Sequence, residues 1–267
     1  MPIGAITGDF VGSRFERHNI TLPEFAWHTA ECRLTDDSVL TGATCRALLG
    51  ECDYRTAYRD AVRMYGSVGF GPGFQLWALG PDTLGTPQST GCGASIRVSP
   101  IGWAFDDMPT VLEHAERSAR STHDTDTAVL GAQAVAGCIL LLRNGFHPRH
   151  AVGFAEWLGL CCERDIASWR TQPGWSSDTL RTVPVAFAAL REGGDFESTV
   201  RLAVSAGGDS DSIAAMAGSL AEACWGVPRA LAAPALLALD RAPALRDSVL
   251  RFRNQFGVPP VLDLPAT

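Results

Sequence analysis

Ala206-Gly207-Gly208-Asp209-Ser210-Asp211-Ser212 runs directly into Ile213-Ala214-Ala215-Met216-Ala217-Gly218-Ser219-Leu220-Ala221. Adjacent glycines permit a sharp bend, and Asp209 and Asp211 fall where a helix begins, so both carboxylates can turn toward one point. Capping a helix needs only one Asp and contributes less than about 2 kcal/mol. A pair of carboxylates, a hydroxyl and a hinge ahead of a helix built of small side chains point instead to closely packed backbones around a site. Oxygen donors alone select a hard cation: Mg²⁺, Mn²⁺ or Ca²⁺.

Two other helix starts share this acidic character. In Leu34-Thr35-Asp36-Asp37-Ser38 the adjacent aspartates precede apolar residues at helical spacing that end at Gly50. Only one of them can accept the free N–H groups of the first turn, whereas neighbouring cations in a shared pocket require both. Thr122-His123-Asp124-Thr125-Asp126-Thr127 lacks a Gly-Gly hinge and reads as a cap and loop, with His123 as a ligand contact.

The first segment carries Gly4, Gly8 and Gly12 at every fourth position, a smooth helix face that another helix can approach closely. Glu16 follows at the next step of that stripe. Between Tyr65 and Pro100 glycines interrupt every periodicity, with Phe70, Phe74 and Trp77 among them, and a long functional loop is expected. Within it, Ser89 to Arg97 offers consecutive backbone N–H groups for a phosphate, with Arg97 either adding charge or pairing with a core carboxylate. Later segments alternate helical runs and short breaks: about 147–160, a loop to Trp175, then helices from about Asp178, Phe196 and Ser212, and two more between Pro228 and Arg253. No stretch alternates like a sustained strand, so the fold class expected is all-α, a single domain over residues 1–267.

Composition narrows the chemistry. All 22 basic residues are Arg, which removes Schiff-base lysines and the phosphate-loop lysine. A net charge of -7 argues against nucleic acid as the main partner but not against a small phosphorylated ligand. Eight cysteines lie mostly in apolar helical patterns without zinc-ribbon spacing and read as reduced core residues. Neither a leader sequence nor an uninterrupted membrane-length apolar stretch is read in the chain, so a cytoplasmic protein with no membrane partner is expected.

Taken in order, Gly4 to Glu16, Thr35 to Ser38, Gly91 to Pro100, Thr122-His123 and Gly207 to Ser212 resemble the ADP-ribosylglycohydrolase family over most of the chain. The resemblance implies an orthogonal helical bundle with a binuclear centre of two Mg²⁺ or Mn²⁺ ions in a cleft. It places Thr35, Asp36, Asp37, Asp209, Asp211 and Ser212 around the metals, with Glu16 or Asp37 as the catalytic base. Gly91, Cys92, Gly93, Ala94, Ser95 and Ile96 would hold the pyrophosphate, His123 would lie near the diphosphate-ribose, and Trp175 would form a wall for the nucleoside. Ser212 stands where Thr is commoner, Cys92 where Asn is frequent, and Asp124-Thr125-Asp126 replaces the family's usual sequence after the His. The implied activity is hydrolysis of the glycosidic bond at the distal ribose of an ADP-ribosylated protein or small molecule, by a protein expected to be monomeric. The alternative is a catalytically altered relative that binds ADP-ribose or serves a structural role.

Overall fold

The computed structural model describes residues 2–171 and 175–262, so part of the loop expected ahead of Trp175 lies outside the described residues. The described residues are predominantly helical. Its first third contains α1 (Ile3–Gly12), α2 (Asp36–Leu48), α3 (Tyr54–Tyr65), α4 (Pro72–Leu79), α5 (Gly93–Ile96) and α6 (Ser99–Ala104). The middle contains α7 (Met108–Arg120), α8 (Asp126–Arg143), α9 (Pro148–Leu158) and α10 (Ile166–Arg170). The last part contains α11 (Thr179–Glu192), α12 (Phe196–Ser205), α13 (Ser210–Trp225), α14 (Arg229–Asp240) and α15 (Pro243–Phe256). Among the described residues the only β pairing is a pair of isolated bridges, Gly91 with Asp178 and Pro228 with Leu262.

Local chemistry sets most of these boundaries. Asp53, Asp107, Asp165 and Asp195 each accept an N–H from the first turn of the helix they precede. Pro lies in the first turn of α4, α7, α9 and α15, where its missing N–H removes no helical bond. The long loop expected from Tyr65 to Pro100 is only partly a loop. Helix α4 forms inside it because Phe74 and Trp77 sit three residues apart on one face, their rings 5.5 Å apart, with Trp77 buried against the core.

Two helices organise the interior. α8 spans 18 residues with a mean hydropathy of 1.4, enough by length and composition to cross a bilayer. No membrane-length stretch was expected; here α8 is a core helix, surrounded by α5, α6, α7, α9, α11 and α13. The second is α13, and its partner is α1. A Cβ added at Gly8 would lie 2.0 Å from the Ala214 carbonyl oxygen, one at Gly12 2.6 Å from the Asp211 Cα, and one at Gly4 2.3 Å from the Gly218 oxygen. The stripe read in the sequence is therefore the surface along which these backbones touch. Glu222 of α13 completes the contact by accepting the Ile3 and Gly4 N–H groups at 3.2 and 2.9 Å, the cap that Pro2 cannot give.

Candidate active site

The α1–α13 contact brings the starts of α2 and α13 together. At α2, Thr35 is the N-cap and accepts the Asp37 N–H at 3.2 Å. Asp9, fully buried in α1, accepts the Thr35 N–H at 3.0 Å, the Thr35 hydroxyl at 2.7 Å, the Ser38 N–H at 3.2 Å and the Ser38 hydroxyl. One buried carboxylate from another helix thus ties down the first turn of α2. Asp36 and Asp37 are left with side chains unused by capping.

At α13 the hinge is as expected: Gly207 and Gly208 have φ of 76° and 79°, a region that favours glycine. Asp209 occupies the N-cap position yet its side chain caps nothing. The Asp209 carboxylate instead accepts the Cys92 thiol at 3.7 Å, while Asp211 Oδ1 accepts its neighbour's N–H, that of Ser212, at 3.1 Å. The Ser212 hydroxyl donates to Asp37 Oδ2 at 3.0 Å and links the two acidic helix starts directly.

Glu16 stands at the rim, its carboxylate 3.5 Å from Arg17 and 3.9 Å from Arg33. Asp36, Asp37, Asp209 and Asp211 have no ion pair of any kind among the described residues. Burial, then the charges of Asp9, Asp209 and Glu16, lifts the Asp36 pKa to about 7. Burial, with the charge of Glu16 beside it, lifts Asp209 to about 6. Asp37 and Asp211 are pushed well above the usual carboxylate range, by burial first and then by the neighbouring aspartates.

Oxygen atoms of Asp9, Asp37 and Asp211 all lie within 4.8 Å of one another. Asp9 already accepts four hydrogen bonds, the capacity of a carboxylate, so its part in the trio is anchorage. The donors that remain are four carboxylates and the hydroxyls of Thr35 and Ser212. That set fits hard divalent cations.

This acidic floor opens into a cleft of about 380 Å³. Its lining includes the apolar Val68, Phe74, Pro87 and half-exposed Trp175 together with Gly91, Cys92, Gly93, Ile96 and His123. Gly69 has φ of 125°, and a Cβ there would meet Asp36 Oδ1 at 2.4 Å, so a bare backbone makes room for that carboxylate.

Not every expected residue faces the cleft. Residues 93–96 form the short helix α5, whose turn points Ser95 at Gly131 of α8 and buries Ala94 in the core, while Gly93 and Ile96 remain on the cleft side. The Gly91 N–H goes to the Ser89 hydroxyl at 3.2 Å and the Cys92 N–H to the Ser177 carbonyl at 2.7 Å. The run of amides expected there begins no earlier than Gly93. Arg97 takes neither of the partners expected for it. Its guanidinium is fully buried, lies 3.7 Å over the Tyr58 ring, and donates to the Ser118 carbonyl at 3.1 Å and to the Thr122 hydroxyl. The third acidic helix start is a cap and loop: Thr125 accepts the Ala128 N–H at 3.3 Å, and Asp124 and Asp126 pair with Arg120.

The sequence pattern does not single out Asp9 or Gly69 as site residues. For Asp9 a signal exists: it is the only charged residue in Ile3–Gly12. Gly69 is one of many glycines in its region and carries no such mark.

Comparison with known proteins identifies the family and the fold. A model of the ADP-ribosylglycohydrolase family matches residues 1–255, and the chain belongs to that family. An uncharacterized protein of Archaeoglobus fulgidus is 34% identical over 145 residues, covering 48% of each chain. ADP-ribosylhydrolase ARH3 of Xenopus tropicalis is 27% identical over 165 residues, covering 50% of this chain and 47% of the relative. The matches thus span about half the length of these relatives. A solved structure described as an ADP-ribosylglycohydrolase-related protein complex superposes with a TM-score of 0.68 at 22% identity, over 90% of this chain and 95% of that one, and shares the fold.

Proposed function

We propose that this member of the ADP-ribosylglycohydrolase family hydrolyses the glycosidic bond between the distal ribose of ADP-ribose and an acceptor, in a cleft that holds two Mg²⁺ or Mn²⁺ ions. The observation that carries this reading is the hydrogen bond from Ser212 to Asp37, which joins two acidic helix starts at the floor of one cleft. Four carboxylates without a basic partner, Asp37, Asp209 and Asp211 buried and Asp36 half-buried, are neutralised by protons or by about two divalent ions, and at neutral pH the ions suit the oxygen donors.

Thr35, Asp36 and Asp37 would hold the cations from one side and Asp209, Asp211 and Ser212 from the other. When bound, such ions orient the ribose hydroxyls and lower the pKa of the attacking water. The chain's own residues do the rest. Glu16, at the open edge of the floor and steadied by Arg17 and Arg33, is placed to take the proton of a water approaching the anomeric carbon. Asp37, committed to Ser212, holds the floor. Phe74 and Trp175 give the nucleoside an apolar wall, and His123 reaches the central part of the cleft. Burial, and then Asp209 and Asp37 beside it, push the Cys92 thiol well above its ordinary range.

The test is release of free ADP-ribose from a panel of ADP-ribosylated arginine, serine and small-molecule acceptors, with Mg²⁺, Mn²⁺ or EDTA. Cation-dependent release by the wild type and its loss in Asp211→Asn are expected. Release that persists in EDTA, or in the Asp37→Asn and Asp211→Asn double variant, overturns the mechanism. Binding of ADP-ribose without release from any acceptor would make the protein a binding relative.

A further inference from the structure

His123 Nδ1 lies 2.7 Å from the Thr122 hydroxyl. That oxygen also receives a hydrogen bond from Arg97 Nη2, which can only donate. Thr122 has a single proton to place. Its one other acceptor is the Ala119 carbonyl at 3.5 Å, which already takes the Thr122 and His123 N–H groups at 3.1 and 2.8 Å. The hydroxyl proton therefore goes to His123 Nδ1. The imidazole proton is left on Nε2.

Nε2 faces the cleft between Gly91 and Gly93, 3.6 and 3.5 Å from where their Cβ atoms would stand, and has no partner among the described residues. Burial, with Arg97 nearby, lowers the His123 pKa to about 3, so the ring is neutral. Arg97 is itself well fixed. It stacks on Tyr58, whose hydroxyl is bonded to Ser118 at 2.7 Å and Thr44 at 2.9 Å, and no carboxylate pairs with it among the described residues. A buried cation without a counter-ion is costly to keep, and here it has a directional task.

We infer that Arg97 and Thr122 form a hydrogen-bond relay, with no proton transferred along it, that fixes His123 as a neutral Nε2–H donor aimed at an acceptor oxygen of the bound ligand. Arg97 and Thr122 are positioning residues: both border the cleft, but Arg97 Nη2 is committed to Ser118 and Thr122, and the Thr122 hydroxyl to Arg97 and His123, so each acts through His123. The inference rests on the reading that the cleft takes ADP-ribose, whose phosphate and ribose oxygens supply the acceptor.

The experiment has two arms. Long-range ¹H–¹⁵N NMR of histidine-labelled wild type at pH 7, with the His123 signals among the six histidines assigned by His123→Gln, reads the tautomer directly. Nε2–H is expected, and Nδ1–H overturns the relay. Calorimetry with ADP-ribose then compares Thr122→Val, which cannot donate, with Thr122→Ser, which can. Thr122→Val should weaken binding about tenfold and shift the ring toward Nδ1–H, while Thr122→Ser stays within about twofold of wild type. Equal binding by wild type and Thr122→Val overturns the inference. Should Thr122→Val not fold, Thr122→Ser and the wild-type spectrum still decide it. If the wild type shows Nε2–H but binds no ADP-ribose, the reading of the cleft fails and the relay stands.

Discussion

Replacing Asp209 by Asn should make the metal-free protein more stable and the metal-loaded protein less so. The folded-state pKa of Asp209, about 6, lies above its ordinary 3.8. Folding therefore favours the protonated carboxyl. The associated stability is complete below about pH 3.8 and is lost as the pH rises through 6. At pH 8 the ionised group costs the metal-free fold about 3 kcal/mol. Asn cannot ionise, keeps the shape, still accepts the Cys92 thiol, and removes one charge that raises Asp36, Asp37 and Asp211. A gain of about 1–3 kcal/mol follows, or about 2–6 °C in Tm for a chain of this size.

Divalent ions reverse the order. At a hundredfold excess over each Kd, two bound cations stabilise the wild type by about 5 kcal/mol, and Asp209→Asn should lose most of that response. The assay is calorimetric unfolding at pH 5 and pH 8, in EDTA and in Mg²⁺ or Mn²⁺. The wild type in EDTA should melt lower at pH 8 than at pH 5, and the cation-induced rise should be larger at pH 8. A variant that melts lower than wild type in EDTA at pH 8, beside a wild type indifferent to either cation, would refute the reasoning, because Asp209 would then be held by partners within the fold.

Gly8→Ala should destabilise by about 3 kcal/mol or more in urea unfolding, since its Cβ would stand 2.0 Å from a backbone oxygen that cannot move alone. Gly153→Ala, a helical position with nothing within 4 Å, should instead gain about 0.5–1 kcal/mol, and a similar loss at both would sink the close-contact account. Asp9→Ala leaves the buried Thr35 and Ser38 N–H groups without acceptors and should cost about 3 kcal/mol while weakening cation binding by calorimetry. An Asp9→Ala protein with unchanged stability would show that α2 does not depend on this anchor. Trp175→Ala should raise KM several-fold with kcat within about twofold, as expected of a wall that binds substrate and transition state alike; an equal fall in kcat and kcat/KM would place Trp175 in the chemistry.

What the sequence reveals and what it hides follow from the range of each interaction. The Gly207-Gly208 hinge, the glycine stripe of α1 and most helix starts are legible because their causes lie within a few residues. Asp9 and Glu222 are harder, since each caps a helix distant in the chain: Asp9 serves α2 and Glu222 serves α1. Both stand out only as charges inside otherwise apolar helices. Helix α4 was hidden by the glycines around it, and α5 was read as an open cradle because a single helical turn has too few residues to show a period. Arg97 left two partners open, a phosphate and a carboxylate, and the structure selects neither; an aromatic face and a threonine hydroxyl are not marked by any local pattern.

The acidic cluster is held where it is by contacts that cannot yield. α1 touches α13 backbone to backbone, and Asp9 on α1 grips the first turn of α2, so the separation between Asp36-Asp37 and Asp209-Asp211 is set by peptide groups rather than by flexible side chains. Carboxylates on a yielding surface relieve repulsion by moving apart into water. These cannot move apart without breaking the α1–α13 seam. The aligned dipoles at the N-termini of α2 and α13 offset part of the repulsion, but about half a charge per helix end does not balance four carboxylates. Relief must come from something that enters, either protons or small divalent cations, and the fully built cleft above the cluster gives the latter a path in. The rigidity that makes the metal-free site unstable at neutral pH is thus the same property that keeps its ligand atoms ready for cations.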